Sequence, residues 1–117
     1  MYSKKYNVNE IIFSEGDIGK AIFFINDGEV EIIRKDSKGR EMVLTKLTAG
    51  DFFGEMALLE ELPRSAAARV SKEGTLYFIY KVRFDSYIQK DPANGLIIYK
   101  NLMKILSSRL RRTSEQI

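Results

Sequence analysis

Asp51-Phe-Phe-Gly-Glu-Met-Ala-Leu-Leu-Glu-Glu-Leu-Pro-Arg-Ser-Ala-Ala-Ala68 departs from the pattern of the chain around it. By period, residues 55–60 are one or two turns of helix that start directly after Gly54, inside a region otherwise rich in β-forming residues. The first amides of such a turn have no intrahelical partners and carry the positive end of its dipole, while Gly54 lets an incoming group approach the backbone closely. Ten residues after Gly54, Pro63 presents Arg64, whose planar fork can take two phosphate oxygens at once. Together they suit an anion. Taken singly, Glu55 reads as a solvated carboxylate at a helix start, and Arg64 as a surface residue or a partner of Glu60 or Glu61. Leu58, Leu59 and Leu62 read as core, Glu60 and Glu61 as a solvated face.

On either side, short β-rich runs alternate with Gly, Asp and Asn at roughly 8–12-residue spacing, the pattern of an all-β sandwich or roll. The runs are Glu10-Ile-Ile-Phe13, Ala21-Ile-Phe-Phe-Ile25, Glu29-Val-Glu-Ile-Ile-Arg34, Glu41-Met-Val-Leu-Thr45, Ala66-Ala-Ala-Arg-Val70 and Thr75-Leu-Tyr-Phe-Ile-Tyr80. Val30 and Ile32 share one face while Glu29 and Glu31 take the other, so one side of that strand faces a core. Glu15-Gly-Asp17, Asn26-Asp-Gly28, Asp36-Ser-Lys-Gly39 and Ala49-Gly-Asp51 are turn chemistry. The segment from Met1 to Tyr6 reads as too short for more than a turn.

Near Val82 the period becomes helical. Val82, Phe84, Tyr87 and Ile88 suit a short amphipathic helix over residues 82–90, and Asp91-Pro92 reads as an N-cap followed by proline at the first helical position. The second helix runs to about Thr113, roughly 33 Å at 1.5 Å per residue, with Tyr99, Leu102, Met103, Leu106 and Leu110 on one stripe. Residues 114–117 read as a frayed tail. The expected organisation is one domain over residues 1–117, with a β-region at 1–81 and helices at 82–113.

With 117 residues, 44% hydrophobic and 30% charged, the composition is that of an ordinary globule. The charge balance of 19 Lys and Arg against 16 Asp and Glu gives +3. The basic run Arg109, Arg111, Arg112 complements a helix C-terminus, and nucleic acid is not expected as a partner. With 0 Cys and 0 His there is no disulfide, thiolate, imidazole base, Ser-His-Asp triad or Cys/His zinc site. The chain is therefore not expected to be an enzyme, and no catalytic or metal-binding residue is assigned. A cupin-type metal barrel, which shares the β pattern, ordinarily needs imidazole ligands. No signal peptide and no apolar window of about 20 residues is visible, so the expected setting is cytoplasmic, without a membrane partner.

Gly54-Glu-Met-Ala-Leu58 followed by Pro63-Arg-Ser-Ala66 resembles the phosphate-binding cassette of cyclic-nucleotide-binding domains, found in bacterial catabolite activator proteins, kinase regulatory subunits and gated channels. The resemblance runs from about Tyr6 to Gln116. It implies a mainly β fold, an eight-stranded antiparallel β-roll of jelly-roll type, with a short cassette helix and a C-terminal helical pair. It assigns Glu55 to the ribose 2′-hydroxyl and Arg64 to the exocyclic phosphate oxygens. Backbone amides near Gly54, Met56 and Ala66 complete the cradle, the Ser65 hydroxyl adds one bond, and Ala57, Ala66 and Ala67 leave room. An ionised carboxylate only accepts, which suits a hydroxyl donor, and one guanidinium matches the single charge of a cyclic phosphodiester.

The ligand so implied is cyclic AMP ahead of cyclic GMP, with no further cofactor. The helices are expected to act as a lid swinging about Asp91-Pro92 onto the base; alternatively, the apolar stripe around Leu102 and Leu106 pairs with a second copy in a homodimer. Tyr99, Leu102, Met103 and Leu106 are candidates to cover the purine and equally core or dimer residues. An effector protein of unknown identity is expected downstream, since the chain reaches Ile117 without the docking region or helix-turn-helix of family members, and the helices that often precede the roll are also missing. The competing reading is a β-roll scaffold or protein-interaction domain that has lost nucleotide binding.

Overall fold

The computed structural model describes the backbone of residues 1–115 and the side chains of residues 1–108. The chain divides into two compact units, Met1–Lys81 and the residues from Val82 onward.

The first unit carries eight strands: β1 (Tyr2–Tyr6), β2 (Ile11–Phe13), β3 (Ala21–Ile25), β4 (Glu29–Lys35), β5 (Glu41–Thr48), β6 (Phe52–Phe53), β7 (Ala67–Lys72) and β8 (Gly74–Tyr80). They form two four-stranded sheets, β1-β8-β3-β6 and β2-β7-β4-β5, with every pairing antiparallel. This is the β-roll the sequence led us to expect. The alternation of β4 places Val30 at 1% exposure in the core, and across the ladder Val70 of β7 faces it at 2% while Ala68, at 0%, faces Ile32. From the other sheet, Phe23 and Phe53 stack at 5.3 Å between centroids, and Phe78 of that sheet and Phe13 of β2 join them at 5.6–5.9 Å. The interior is thus lined by aromatic rings.

Two strands escaped the sequence reading. The segment taken as a turn is β1, paired from Tyr2↔Phe78 to Tyr6↔Gly74. Its middle is Ser-Lys-Lys, and only its ends contribute apolar contact, Tyr2 stacked on Phe78 and Tyr6 buried in the core. Lysines on an outer strand also guard an open edge against further pairing. β6 is two residues long and has no period to read.

A second correction concerns the turn after β6. It is a 3-10 turn over Glu55–Leu58, so the helical period stops at Leu58. Ala57 and Leu58 are buried, whereas Leu59 and Leu62 are 56% and 47% exposed, contrary to their expected place in the core.

Two helices follow the strands, α1 (Lys81–Lys90), which belongs to the second unit from Val82 on, and α2 (Pro92–Glu115). Asp91 caps α2: its carboxylate accepts from the Asn94 backbone N–H at 3.4 Å and the Asn94 side-chain amide at 2.7 Å. Gly95 lets the two helices close tightly, because a Cβ there would lie 2.8 Å from Ile88 Cγ1. Phe84 and Tyr99 meet edge to face at 5.5 Å. α2 continues past Thr113 into the stretch expected to fray. The side chains of Arg109, Leu110, Arg111 and Arg112, and residues 116–117, lie outside the described residues.

Candidate functional site

The site begins at Gly54, whose φ of 76° is left-handed and turns the chain from β6 into the 3-10 turn. The Gly54 carbonyl accepts from the Ala57 N–H at 3.2 Å, and no side chain caps the turn. Residues 62–64 then run alongside residues 16–19. Gly19 N–H donates to the Leu62 carbonyl at 2.9 Å, Arg64 N–H to the Asp17 carbonyl at 2.6 Å, and Gly16 N–H to the Arg64 carbonyl at 2.8 Å, with a bridge between Ile18 and Pro63. Arg64 is therefore fixed through its own main chain before its side chain makes any contact.

That side chain threads between two glycines. Nη1 donates to the Gly54 carbonyl at 3.1 Å and Nη2 to the Ala21 carbonyl at 2.7 Å, while the guanidinium carbon lies 4.2 Å above the centre of the Phe13 ring. A Cβ on Gly19 would sit 3.0 Å from Arg64 Cζ, and one on Gly54 would sit 2.7 Å from Nη1. Burial pulls the guanidinium below the ordinary arginine value, and the nearby carboxylates of Glu55 and Asp17 act in the opposite direction. It remains a cation at any ordinary pH. A guanidinium has five N–H donors. Two are committed to carbonyls, so three have no hydrogen-bond partner among the described residues. A half-buried cation with donors in hand is a seat for an anion.

The expected site residues fall into two groups that meet at this point. Gly54 precedes the turn and touches Arg64, Glu55 opens the turn half-buried, and Ala57 is buried beneath it, whereas the Met56 side chain is 55% exposed. Ser65 is exposed and Ala66 is buried directly before β7. Tyr99, Leu102, Met103 and Leu106 lie on α2, in the second unit.

Sequence reading missed Phe13, Gly19, Ala21 and Arg34. Gly19 carried a signal, a second glycine three positions after Gly16 and more than the turn requires. Only Gly16 of the two has a positive φ, so Gly19 is there for space. Ala21 acts through its carbonyl, which no residue type reveals. Arg34 donates from Nε to the Ser65 carbonyl at 3.1 Å across 31 residues of sequence.

The family model of the cyclic nucleotide-binding domain matches residues 3–91. The chain is 34% identical over 120 residues to the cAMP-activated global transcriptional regulator Vfr of Pseudomonas aeruginosa, covering 99% of this chain and 54% of that protein. It is similar to the crystal structure of the catabolite activator protein of Thermus thermophilus, with a TM-score of 0.84, 30% identity, and coverage of 98% of this chain and 52% of that one. A cyclic nucleotide-binding domain from Methylobacillus flagellatus shares the fold at a TM-score of 0.90 and 23% identity, covering 98% of this chain and 65% of that one. The chain thus spans about half the length of the curated relatives it matches. Because relatives are named transcriptional regulators, the expectation that nucleic acid is no partner does not stand for the protein as a whole. It rested on the charge pattern of this stretch alone.

Proposed function

The chain belongs to the cyclic nucleotide-binding domain family, and from that premise we propose that it binds a 3′,5′-cyclic purine mononucleotide at Arg64 and the 3-10 turn, cyclic AMP in preference to cyclic GMP. The observation that carries the reading is the guanidinium held between Gly19 and Gly54 with three N–H donors uncommitted. In this reading Arg64 takes the exocyclic phosphate oxygens, with backbone amides near Gly54, Met56 and Ala66 and the Ser65 hydroxyl around them. Glu55 accepts from the ribose 2′-hydroxyl. The preference for cyclic AMP draws on relatives named as cAMP-activated.

The protein so read is a non-enzymatic cytoplasmic sensor. Ligand shifts a population by favouring one arrangement of α1 and α2 over another, and only differential affinity for the two arrangements can do so. A homodimer through α2, an effector protein and, given the transcriptional regulators among its relatives, a nucleic-acid partner for the whole protein belong to the same proposal. Titration calorimetry tests it: saturable binding of cyclic AMP, weaker binding of cyclic GMP and of 2′-deoxy cyclic AMP are expected. Absence of binding to either cyclic nucleotide would leave the scaffold reading in its place. With Glu55→Ala, discrimination against the 2′-deoxy compound is expected to disappear, and equal losses for both compounds would remove the ribose role.

A further inference from the structure

We propose that Arg34, from strand β4, is a positioning residue for the phosphate site that acts through the peptide between Ser65 and Ala66; the proposal rests on the reading of Arg64 given above. Arg34 is exposed, next to the buried Ile33, and β4 shifts its register against β5 between Ile32 and Ile33. Its Nε–H donates to the Ser65 carbonyl at 3.1 Å, the one hydrogen bond its side chain makes among the described residues. Ser65 directly follows the anion-binding candidate Arg64.

The C=O and N–H of one trans peptide point in opposite directions. By holding the Ser65 carbonyl toward itself, Arg34 turns the Ala66 N–H to the other side of the same peptide plane. Ala66 is 7% exposed, and its N–H makes no hydrogen bond to any described residue. A buried amide donor without a partner is costly and uncommon. A phosphate oxygen beside Arg64 would satisfy it. With Arg34 absent, the peptide is free to rotate, and the negative end of the carbonyl dipole competes for the place of the anion. The positive charge of Arg34 also lies beside the cassette and favours an anion there.

The test uses the whole chain with cyclic AMP and the two diastereomeric phosphorothioates in which sulfur replaces one or the other exocyclic oxygen. Wild type should prefer one diastereomer, since sulfur is a poor acceptor for an amide. Arg34→Ala should lose roughly tenfold in affinity for cyclic AMP. It should also narrow the diastereomer preference, while ligand-free melting stays within about 2 °C of wild type. Arg34→Lys, which keeps a donor and a charge, should recover most of the affinity. Unchanged affinity in Arg34→Ala would overturn the proposal. An equal loss for both diastereomers, or a loss that tracks a fall in ligand-free melting, would overturn it too, because that is the mark of a merely structural contact. Failure of wild type itself to bind would overturn the phosphate-site reading and this proposal with it, a result distinct from wild-type binding that Arg34→Ala leaves intact.

Discussion

Arg64 is held by groups that have no side-chain chemistry of their own, two carbonyls and the bare Cα positions of two glycines. The two glycines make separable predictions. Gly19 is outside the positive-φ region, so Gly19→Ala introduces no backbone strain there, and the atoms nearest its Cβ belong to the far end of the Arg64 side chain, from 3.0 Å. Weaker cyclic AMP binding with a folding stability within about 0.5 kcal/mol of wild type is expected, measured by calorimetry beside urea denaturation. Affinity equal to wild type would show that the slot does not matter. Gly54→Ala should instead lose both affinity and about 1–3 kcal/mol of stability, because φ is 76° there. At this scale the sequence was legible where the expectation rested on residue type and spacing: Gly54 before the turn and Arg64 ten residues on were read together, and Arg64 Nη1 does donate to the Gly54 carbonyl. Phe13, Ala21 and Arg34 could not be read this way, because they reach Arg64 or Ser65 through contacts set by strand register.

Elements were legible in proportion to their local pattern. β3 was read at its observed ends, and Asp91-Pro92 announced the start of α2 as an N-cap followed by proline should. β1 and β6 were not, since one has a polar middle and the other only two residues, and both are strands because a neighbour pairs with them. Leu59 and Leu62 misled because a single 3-10 turn does not sustain the period that would have buried them. The β4–β5 connection offers a prediction about pH. Its Asp36 carboxylate accepts from the Lys38 and Arg40 backbone N–H groups at 2.9 Å each and from Arg40 Nε at 3.0 Å. These bonds, that from the Arg40 backbone first, favour the ionised form and hold the carboxyl below its ordinary 3.8. A carboxyl lowered on folding contributes stability that is fully present above the unfolded value and lost as pH falls through the folded one. The Asp36 carboxyl carbon should therefore titrate, by NMR, with a midpoint below 3.8, and the Lys38 and Arg40 amide shifts should follow it. A midpoint at or above that value would contradict the geometry.

At the scale of the molecule, composition narrowed the expectations as much as motif did. With 0 His and 0 Cys, imidazole, thiolate and Cys/His zinc chemistry are unavailable within these 117 residues, and the turn spacing with the cassette at residues 54–66 points to one roll. Whether α1 and α2 respond to ligand was not legible, because an apolar helix face carries no mark of the partner that covers it. Coupling predicts that cyclic AMP slows amide exchange in α1, whereas unchanged exchange there would mean that the roll binds alone. A binder must also gain stability by mass action, about 2.7 kcal/mol at a hundredfold excess over its dissociation constant, whereas a scaffold gains none. The whole account turns on Arg64 meeting a ring-closed phosphodiester, and the most direct measurement is the affinity of Arg64→Ala for cyclic AMP beside wild type. A loss of roughly 2–5 kcal/mol, with the variant still folded, is the predicted result. Equal affinity in the two proteins would contradict it.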